Sequence, residues 1–244
     1  MALVTGRDSV MTDHRRFVLQ AIDRSTECIA RDLAFEVGEL KELCEQICID
    51  LSEFDPRLEY DLDPSDVDRI TKCFELQFEV QDCRVSIRSW RPIDALPYKV
   101  HTNRELALML AGTKPLAVFV GDSPPNPKYE EIPERLFEPY VRSGRFVKRD
   151  HSGLDVSGAG SASQRSCRTV LYAQPHEQWR IDAYLLMQET AKKSGWNEGF
   201  ERMEGTLLGY TDWQNDAYLE MTRQIRSPSG VNCAVEQGSH GPKS

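Results

Sequence analysis

The sequence predicts an α+β fold built as a single domain. Three observations lead to this prediction: apolar residues recur at helical spacing after Val18, alternate with polar residues from Phe74 to Ile87, and return to helical spacing after Pro175. Helices separated along the chain from antiparallel strands are typical of the α+β class. We therefore expect N-terminal helices, a mainly antiparallel sheet with a hairpin at about 73–89, and a C-terminal helical group.

The first predicted element is an amphipathic helix, or a pair of helices, beginning near Val18. Apolar side chains every three or four residues form one stripe on such a helix. Gly38 could divide the segment, since glycine in a helix interior costs about 1 kcal/mol relative to alanine. Pro56 ends it because proline lacks a backbone donor. The stripe consists of Val18, Ile22, Ile29, Leu33, Val37, Leu40, Cys44, Ile47 and Leu51.

Strict alternation of apolar and polar residues predicts the hairpin at 73–89. A period of two places alternate side chains on opposite faces of a strand, and one buried face explains the pattern. Gln81 and Asp82 would form the tight turn between the two strands. The inward positions are Phe74, Leu76, Phe78 and Val80 in the first strand and Cys83, Val85 and Ile87 in the second.

Mixed structure is predicted from residue 102 onward. Thr102 and Glu105 have the spacing of a capping box, in which each side chain accepts a hydrogen bond from the backbone of the other, so a helix should follow. The continuous apolar run at 116–120 predicts a buried strand, and 133–142 predicts a short helix. A further strand is expected near 145–148.

The last third of the chain is predicted to be helical after one more strand. Five serines and three glycines at 152–166 predict a flexible loop or a domain boundary. A strand is expected at 169–173, and three helices should fill 175–225. Because composition does not change across the loop, we expect one domain over 12–226. The remaining polar segments are predicted to be disordered tails, at 1–11 and 227–244.

Composition excludes several classes of protein. The chain is 40% hydrophobic and 28% charged, which is typical of a globular domain. Its net charge of −9 makes charge-driven binding to nucleic acid unfavourable. The same charge favours a basic protein as the partner. No apolar run approaches the roughly 20 residues of a membrane span. With no secretory signal pattern at 1–10, we expect a cytoplasmic protein.

Neither a metal nor a cofactor is predicted. The seven cysteines are odd in number and dispersed, which indicates reduced thiols. Cys44 and Cys48 could share a helix face, but a structural zinc site normally needs four ligands. Gly158 and Gly160 resemble part of a phosphate-binding loop, yet Ser163 stands where the third glycine of the dinucleotide pattern should be.

The strongest candidate for catalysis is His176 with Glu177 and Arg180, at the predicted start of a helix. A helix N-terminus favours neutral histidine, so His176 could act as a general base while Arg180 holds an anionic substrate. His101 or His151 could contribute. The alternative is ordinary helix capping, with Glu177 complementing the helix dipole and Arg180 on the surface.

Three functions stay open at this point. The missing catalytic signatures and the acidic charge favour a non-catalytic binding or regulatory protein that recognises another macromolecule. The first alternative is a small enzyme that uses His176, Glu177 and Arg180 on an anionic small molecule. The second is a structural subunit whose apolar C-terminal helices become buried only on assembly, so a homo-oligomer is possible. The sequence identifies neither a partner nor a substrate.

Overall fold

The computed structural model describes residues 15–124, 131–155 and 165–227. They form two antiparallel sheets with helices, which confirms the α+β class. The strands are β1 Arg16–Asp23, β2 Ile29–Glu36, β3 Glu59–Leu62, β4 Cys83–Ser89, β5 Leu116–Ser123, β6 Val147–Asp155 and β7 Arg165–Ala173. The helices are α1 Leu40–Gln46, α2 Pro64–Cys73, α3 Glu105–Leu110, α4 Glu134–Arg142, α5 Trp179–Ser194, α6 Glu198–Leu207 and α7 Asp212–Arg226, with short 3-10 helices at Pro92–Ala95 and Pro175–Glu177.

The segment predicted to hold N-terminal helices folds mainly as a β hairpin, so that prediction is wrong before Gly38. β1 and β2 pair in antiparallel register from Arg16↔Glu36 to Ala21↔Arg31. In the first sheet, of order β2-β1-β4-β3, β1 lies between two neighbours and is buried on both faces. Such a strand carries a continuous apolar run, which periodicity does not distinguish from a helix. Only α1 follows the predicted helical pattern.

The predicted hairpin at 73–89 is also wrong, although its second half is a strand. β4 pairs with β1 and β3, and residues 74–80 form no strand. Their alternation still directs apolar side chains inward, and Phe78 is buried in the core of the first sheet. The carbonyls of Gln77 and Glu79 accept hydrogen bonds from the Arg31 guanidinium, at 2.9 and 3.0 Å, where sheet partners would otherwise be needed.

The second sheet has the order β5-β7-β6 and is covered by helices on both faces. Alternate residues of β7 divide between two cores: Val170 and Tyr172 pack with α3 and α4, whereas Leu171 and Ala173 pack with α5 and α6. Phe137 of α4 stacks on Tyr172 with ring centroids 4.3 Å apart. The C-terminal helical group is therefore confirmed, and it covers one face of this sheet.

The helix predicted after Thr102 is present as α3, but its capping box is absent. Arg104 occupies the N-cap, and no side chain caps the first turn. The elements predicted at 116–120, 133–142 and 169–173 appear as β5, α4 and β7. The last two helices are separated by Gly209, whose φ of 93° favours glycine.

The strands extend into the predicted loop at 152–166, which is therefore shorter than expected. β6 and β7 form a hairpin whose pairing reaches Asp155↔Arg165. Residues 156–164, at the centre of that loop, lie outside the described residues. The tails predicted at 1–11 and 227–244 also lie outside them, apart from Ser227.

The end of the β1–β2 hairpin connects the two sheets. Cys28 is buried in the core between the second sheet and α3 and α4. Ile29 N donates a hydrogen bond to Asn103 O at 2.7 Å. Asp32 forms an ion pair with Arg104, at 3.2 Å, in a position where both side chains are largely buried. Residues 97–104 are thereby held between the sheets, next to the start of α3.

Candidate functional site

The predicted catalytic residues His176, Glu177 and Arg180 follow β7 but do not converge on a cavity. Glu177 Oε2 accepts a hydrogen bond from Arg180 Nε at 2.7 Å. Arg180 Nη1 donates to the carbonyls of Thr206, at 2.8 Å, and Leu207, at 3.2 Å. The Arg180 guanidinium therefore donates hydrogen bonds to the last carbonyls of α6, which have no donor within the helix.

The three predicted residues line neither of the two cavities described below. His176 is exposed. His151 lies on β6 opposite Thr169. Only His101, the other histidine considered for the enzyme hypothesis, lines a cavity.

A small polar cavity, which we call the Lys114 cavity, lies between the 97–104 segment, the start of β5 and the end of α6. It is partly open and offers about 30 Å3, room for roughly two water molecules. Its walls are more polar than apolar, which is unusual for a site within a core. The residues around it are His101, Thr102, Glu105, Lys114, Val118, Leu208 and Tyr210.

Lys114 is buried in this wall, with 3% of its surface exposed. It ends the turn between α3 and β5, where its backbone N–H donates to Leu108 O at 3.2 Å. Its Nζ lies 3.4 Å from His101 Nδ1. Burial lowers the pKa of Lys114 from 10.5 to about 8, and the nearby carboxylates of Glu105 and Glu204 limit that decrease.

His101 is held as a neutral imidazole. Its ring stacks on Tyr210 with centroids 4.0 Å apart and an interplanar angle of 13°, and its backbone N–H donates to Tyr210 Oη at 2.8 Å. Burial and the positive charge of Lys114 lower the pKa of His101 to about 3, while a hydrogen bond to the backbone of Leu208 acts in the opposite direction. A neutral ring can accept a hydrogen bond from Lys114 at Nδ1.

Two glutamates provide the negative charge around Lys114. Glu105, at the start of α3, is partly buried, and burial raises its pKa. Glu204 of α6 is 1% exposed and accepts a hydrogen bond from Tyr184 Oη at 3.0 Å. Gln188 donates to the same Tyr184 oxygen at 3.1 Å. The amine and its two carboxylates therefore form one coupled group of charges inside the molecule.

A second cavity adjoins the first and shares Tyr210 with it. It offers about 10 Å3, room for about one water molecule at most. Glu204 and Asn215, both buried, lie on its wall. Tyr210 therefore separates the polar Lys114 cavity from a smaller and more apolar space beneath the C-terminal helices.

An amine with a pKa near 8 can act as a base or as a nucleophile at neutral pH, because a sizeable fraction is uncharged. Lys114 was not among the site residues predicted from the sequence. A lysine between a turn and an apolar strand usually extends into solvent, whereas this one lies beside the 97–104 segment and the residues that follow α6. Nothing local in the sequence indicates that arrangement.

A different kind of candidate site is the exposed apolar surface of the C-terminal helices. Six of the nine large apolar side chains exposed in the described residues belong to 179–225. Trp179 and Leu186 are seven residues apart, so they lie on one side of α5 about 10 Å from each other. The six are Trp179, Leu186, Trp196, Met203, Trp213 and Ile225.

Other classes of site are not found in the part of the chain that the structure describes. There, no group of three or more histidine, cysteine, aspartate or glutamate side chains is arranged to hold a metal ion. Cys44 is buried in α1, whereas Cys48 lies outside that helix and is exposed. Among the described helices, none is both long enough and apolar enough to cross a membrane.

Comparison with known proteins gives no family for this chain. No family model matches it, and no curated protein and no solved structure matches it either. Any functional proposal must therefore depend on the residues themselves.

Proposed function

We propose that this protein is a non-catalytic binding protein that recognises another protein through the exposed side of α5 and the neighbouring part of α6. One observation supports this proposal above the others: α5 exposes two large apolar side chains on the side opposite its buried one. Ile181, Tyr184 and Met187 are buried on its inner side, whereas Trp179 and Leu186 are exposed. The solvent-facing side of an amphipathic helix normally carries charged and polar residues instead.

The exposed side of α5 has the composition of a binding surface. Tryptophan is enriched among the residues that dominate binding energy at protein interfaces, and Trp179 is 55% exposed. On α6, which packs beside α5, Met203 is also exposed, and methionine adapts well to a partner's shape. Exposed tryptophan, leucine and methionine side chains on neighbouring helices are the kind of groups that protein interaction sites use.

The charge of this chain indicates which charged residues its partner should have. On the same side of α5 as Leu186, Glu189 and Lys193 are both exposed, so the local charge is mixed. Asp182 on that side pairs with Arg149 at 2.8 Å. The net charge of −9 of the whole chain favours a partner whose apolar side chains are accompanied by lysine or arginine, and it accelerates the encounter with such a partner. Nucleic acid is disfavoured by the same charge.

The proposal can be tested with two matched double variants. Leu186→Gln/Met203→Gln removes apolar groups from α5 and α6, while Leu51→Gln/Leu58→Gln removes two comparably exposed leucines from the first half of the chain. Proteins captured at low salt from the cells of origin should include one that the wild type and the Leu51/Leu58 variant recover equally and the α5–α6 variant does not. Equal recovery by both variants would contradict the proposal.

Self-association is a distinct outcome of the same experiment. If the partner is a second copy of this chain, sedimentation of the purified wild type should depend on concentration, and that of Leu186→Gln/Met203→Gln should not. This result would replace recognition of a different protein with assembly of a structural subunit.

A further inference from the structure

We propose that the Lys114 cavity is a covalent site for small carbonyl compounds, with Lys114 Nζ as the nucleophile that forms an imine with an aldehyde of one or two carbons. This inference is independent of the protein-binding surface. It depends on the position of the Lys114 amine, which is buried and lies at a partly open polar cavity. The nearest hydrogen-bond partner of this amine is a histidine nitrogen and not a carboxylate.

The position of Lys114 is unusual within the molecule. Of the lysines in the described ranges, it alone is buried, and the others are exposed or partly exposed. Its Nζ contacts a ring nitrogen of neutral His101 at 3.4 Å rather than a carboxylate. An ammonium bound directly to a carboxylate would be a poor nucleophile, because that contact stabilises its charged form.

The size of the cavity limits the ligand. Two water molecules occupy roughly 60 Å3 of liquid, so their replacement makes room for a compound of two or three non-hydrogen atoms. Formaldehyde and acetaldehyde meet that limit. A ring compound such as benzaldehyde exceeds it.

The groups around Nζ fit imine formation. The neutral amine attacks the carbonyl carbon, so that a C–N bond forms and the C=O electron pair moves to oxygen, which takes up the proton that nitrogen loses. The nitrogen lone pair then expels that oxygen as water while a C=N bond forms. This second step needs an acid to protonate the departing oxygen. Glu105 lines the same cavity, and burial raises its pKa. In the fraction of molecules in which its carboxyl group is protonated, it supplies that proton and takes one back from the iminium nitrogen, which leaves the neutral imine.

The charged and titratable groups around Lys114 set the pH at which it reacts. Glu105 and Glu204 favour its charged form, burial opposes that form, and neutral His101 adds no charge. With a pKa of about 8 rather than 10.5, the uncharged fraction at pH 7 increases by roughly 300-fold. We expect part of this gain to be offset by restricted access.

Reductive alkylation of the full chain tests the proposal. The protein is treated with acetaldehyde and cyanoborohydride between pH 6.5 and 9.5, and the alkylation of each lysine is followed by peptide mass spectrometry. At pH 7 Lys114 should be alkylated at least tenfold faster than exposed Lys41, with a rate profile that levels off near pH 8 rather than rising to pH 9.5. Alkylation no faster than at Lys41 would overturn the proposal.

Benzaldehyde provides the control for the cavity. It should alkylate Lys41 but not Lys114, because the ring does not fit. If both aldehydes alkylated Lys114 rapidly, the reactive amine would be exposed in solution and the proposed small-carbonyl site would be wrong.

Discussion

At the scale of single residues, Lys114 should make stability depend on pH in an unusual direction. Burial lowers its pKa to about 8, so between pH 8 and 10.5 the unfolded chain binds more protons than the folded chain. Stability from this group therefore rises with pH in that window. Relative to Lys114→Met, the wild type should gain about 2 kcal/mol in free energy of unfolding between pH 7.5 and 9.5.

Urea denaturation of both proteins across that range measures the effect. Tyrosines whose pKa burial raises, such as Tyr210, also respond to pH in this range through the unfolded chain, but they are present in both proteins and cancel in the comparison. Parallel stability profiles for the wild type and Lys114→Met would show that the amine is solvated.

Arg180 should contribute to stability and not to a substrate site. Its guanidinium donates to the last carbonyls of α6 and pairs with Glu177. Arg180→Met should reduce the free energy of unfolding by about 1–3 kcal/mol, since hydrogen bonds from a charged group are lost. As a control, Arg202→Met breaks an exposed pair with Asp216 and should cost less than about 1 kcal/mol. If Arg180→Met were as stable as the wild type, the structural role of Arg180 would be contradicted, and Arg180 would again be a candidate for binding an anionic substrate.

The sequence predicted where the candidate site residues lie along the chain better than it predicted which distant residues contact them. His176, Glu177 and Arg180 do begin the C-terminal helical region, but Glu177 pairs with the Arg180 side chain and no side chain caps the start of α5. Lys114 was not predicted, because the cavity that it lines is completed by Leu208 and Tyr210, which follow it by more than 90 residues along the chain. No local pattern encodes a contact of that separation.

At the scale of elements, the packing of α6 against α7 depends on Gly205. A Cβ at this position would lie 2.0 Å from Asn215 Oδ1, and Asn215 is buried between the helices. Gly205→Ala should therefore destabilise the protein by about 1–3 kcal/mol, the usual cost of overpacking. Thermal unfolding provides the measurement.

The double variant Gly205→Ala/Asn215→Ala is the matched control. Removing the Asn215 amide group opens the space that the new methyl group needs, so the two changes together should cost less than the sum of the single changes. Additive losses would indicate that Gly205 is required for some reason other than its approach to Asn215.

Short elements bounded by a clear breaker were predicted well, and those shaped by distant partners were not. β5 and β7 were recognised from short apolar runs, and the C-terminal helices from their periodicity. β1 was mistaken for a helix because both of its faces are buried. Residues 74–80 alternate as a strand does, yet their carbonyls are bound by the Arg31 side chain instead of a neighbouring strand.

At the scale of the whole molecule, the ion pairs of Asp32 connect the first sheet to the segment that precedes α3. Burial alone would raise the pKa of Asp32, but Lys99, at 2.8 Å, and Arg104 together lower it below 3.8. A lowered carboxyl pKa gives stability that is present above pH 3.8 and is lost as pH falls through the folded-state pKa.

Asp32→Asn should therefore destabilise the protein at pH 6, and this difference from the wild type should shrink as the pH approaches 3. Asp61→Asn, at an exposed ion pair with Arg84, should show little effect at either pH. Urea denaturation at the two pH values measures both variants. A constant difference between the wild type and Asp32→Asn would mean that the pair does not link the sheets through charge.

The central claim is that the exposed side of α5 and α6 binds a protein. It is tested most directly by the dissociation constant of the captured partner, measured by titration calorimetry with the wild type and both double variants. Leu186→Gln/Met203→Gln should weaken binding at least tenfold, a loss of about 1.4 kcal/mol or more, while Leu51→Gln/Leu58→Gln should leave it unchanged. Equal affinity for all three proteins would contradict the claim.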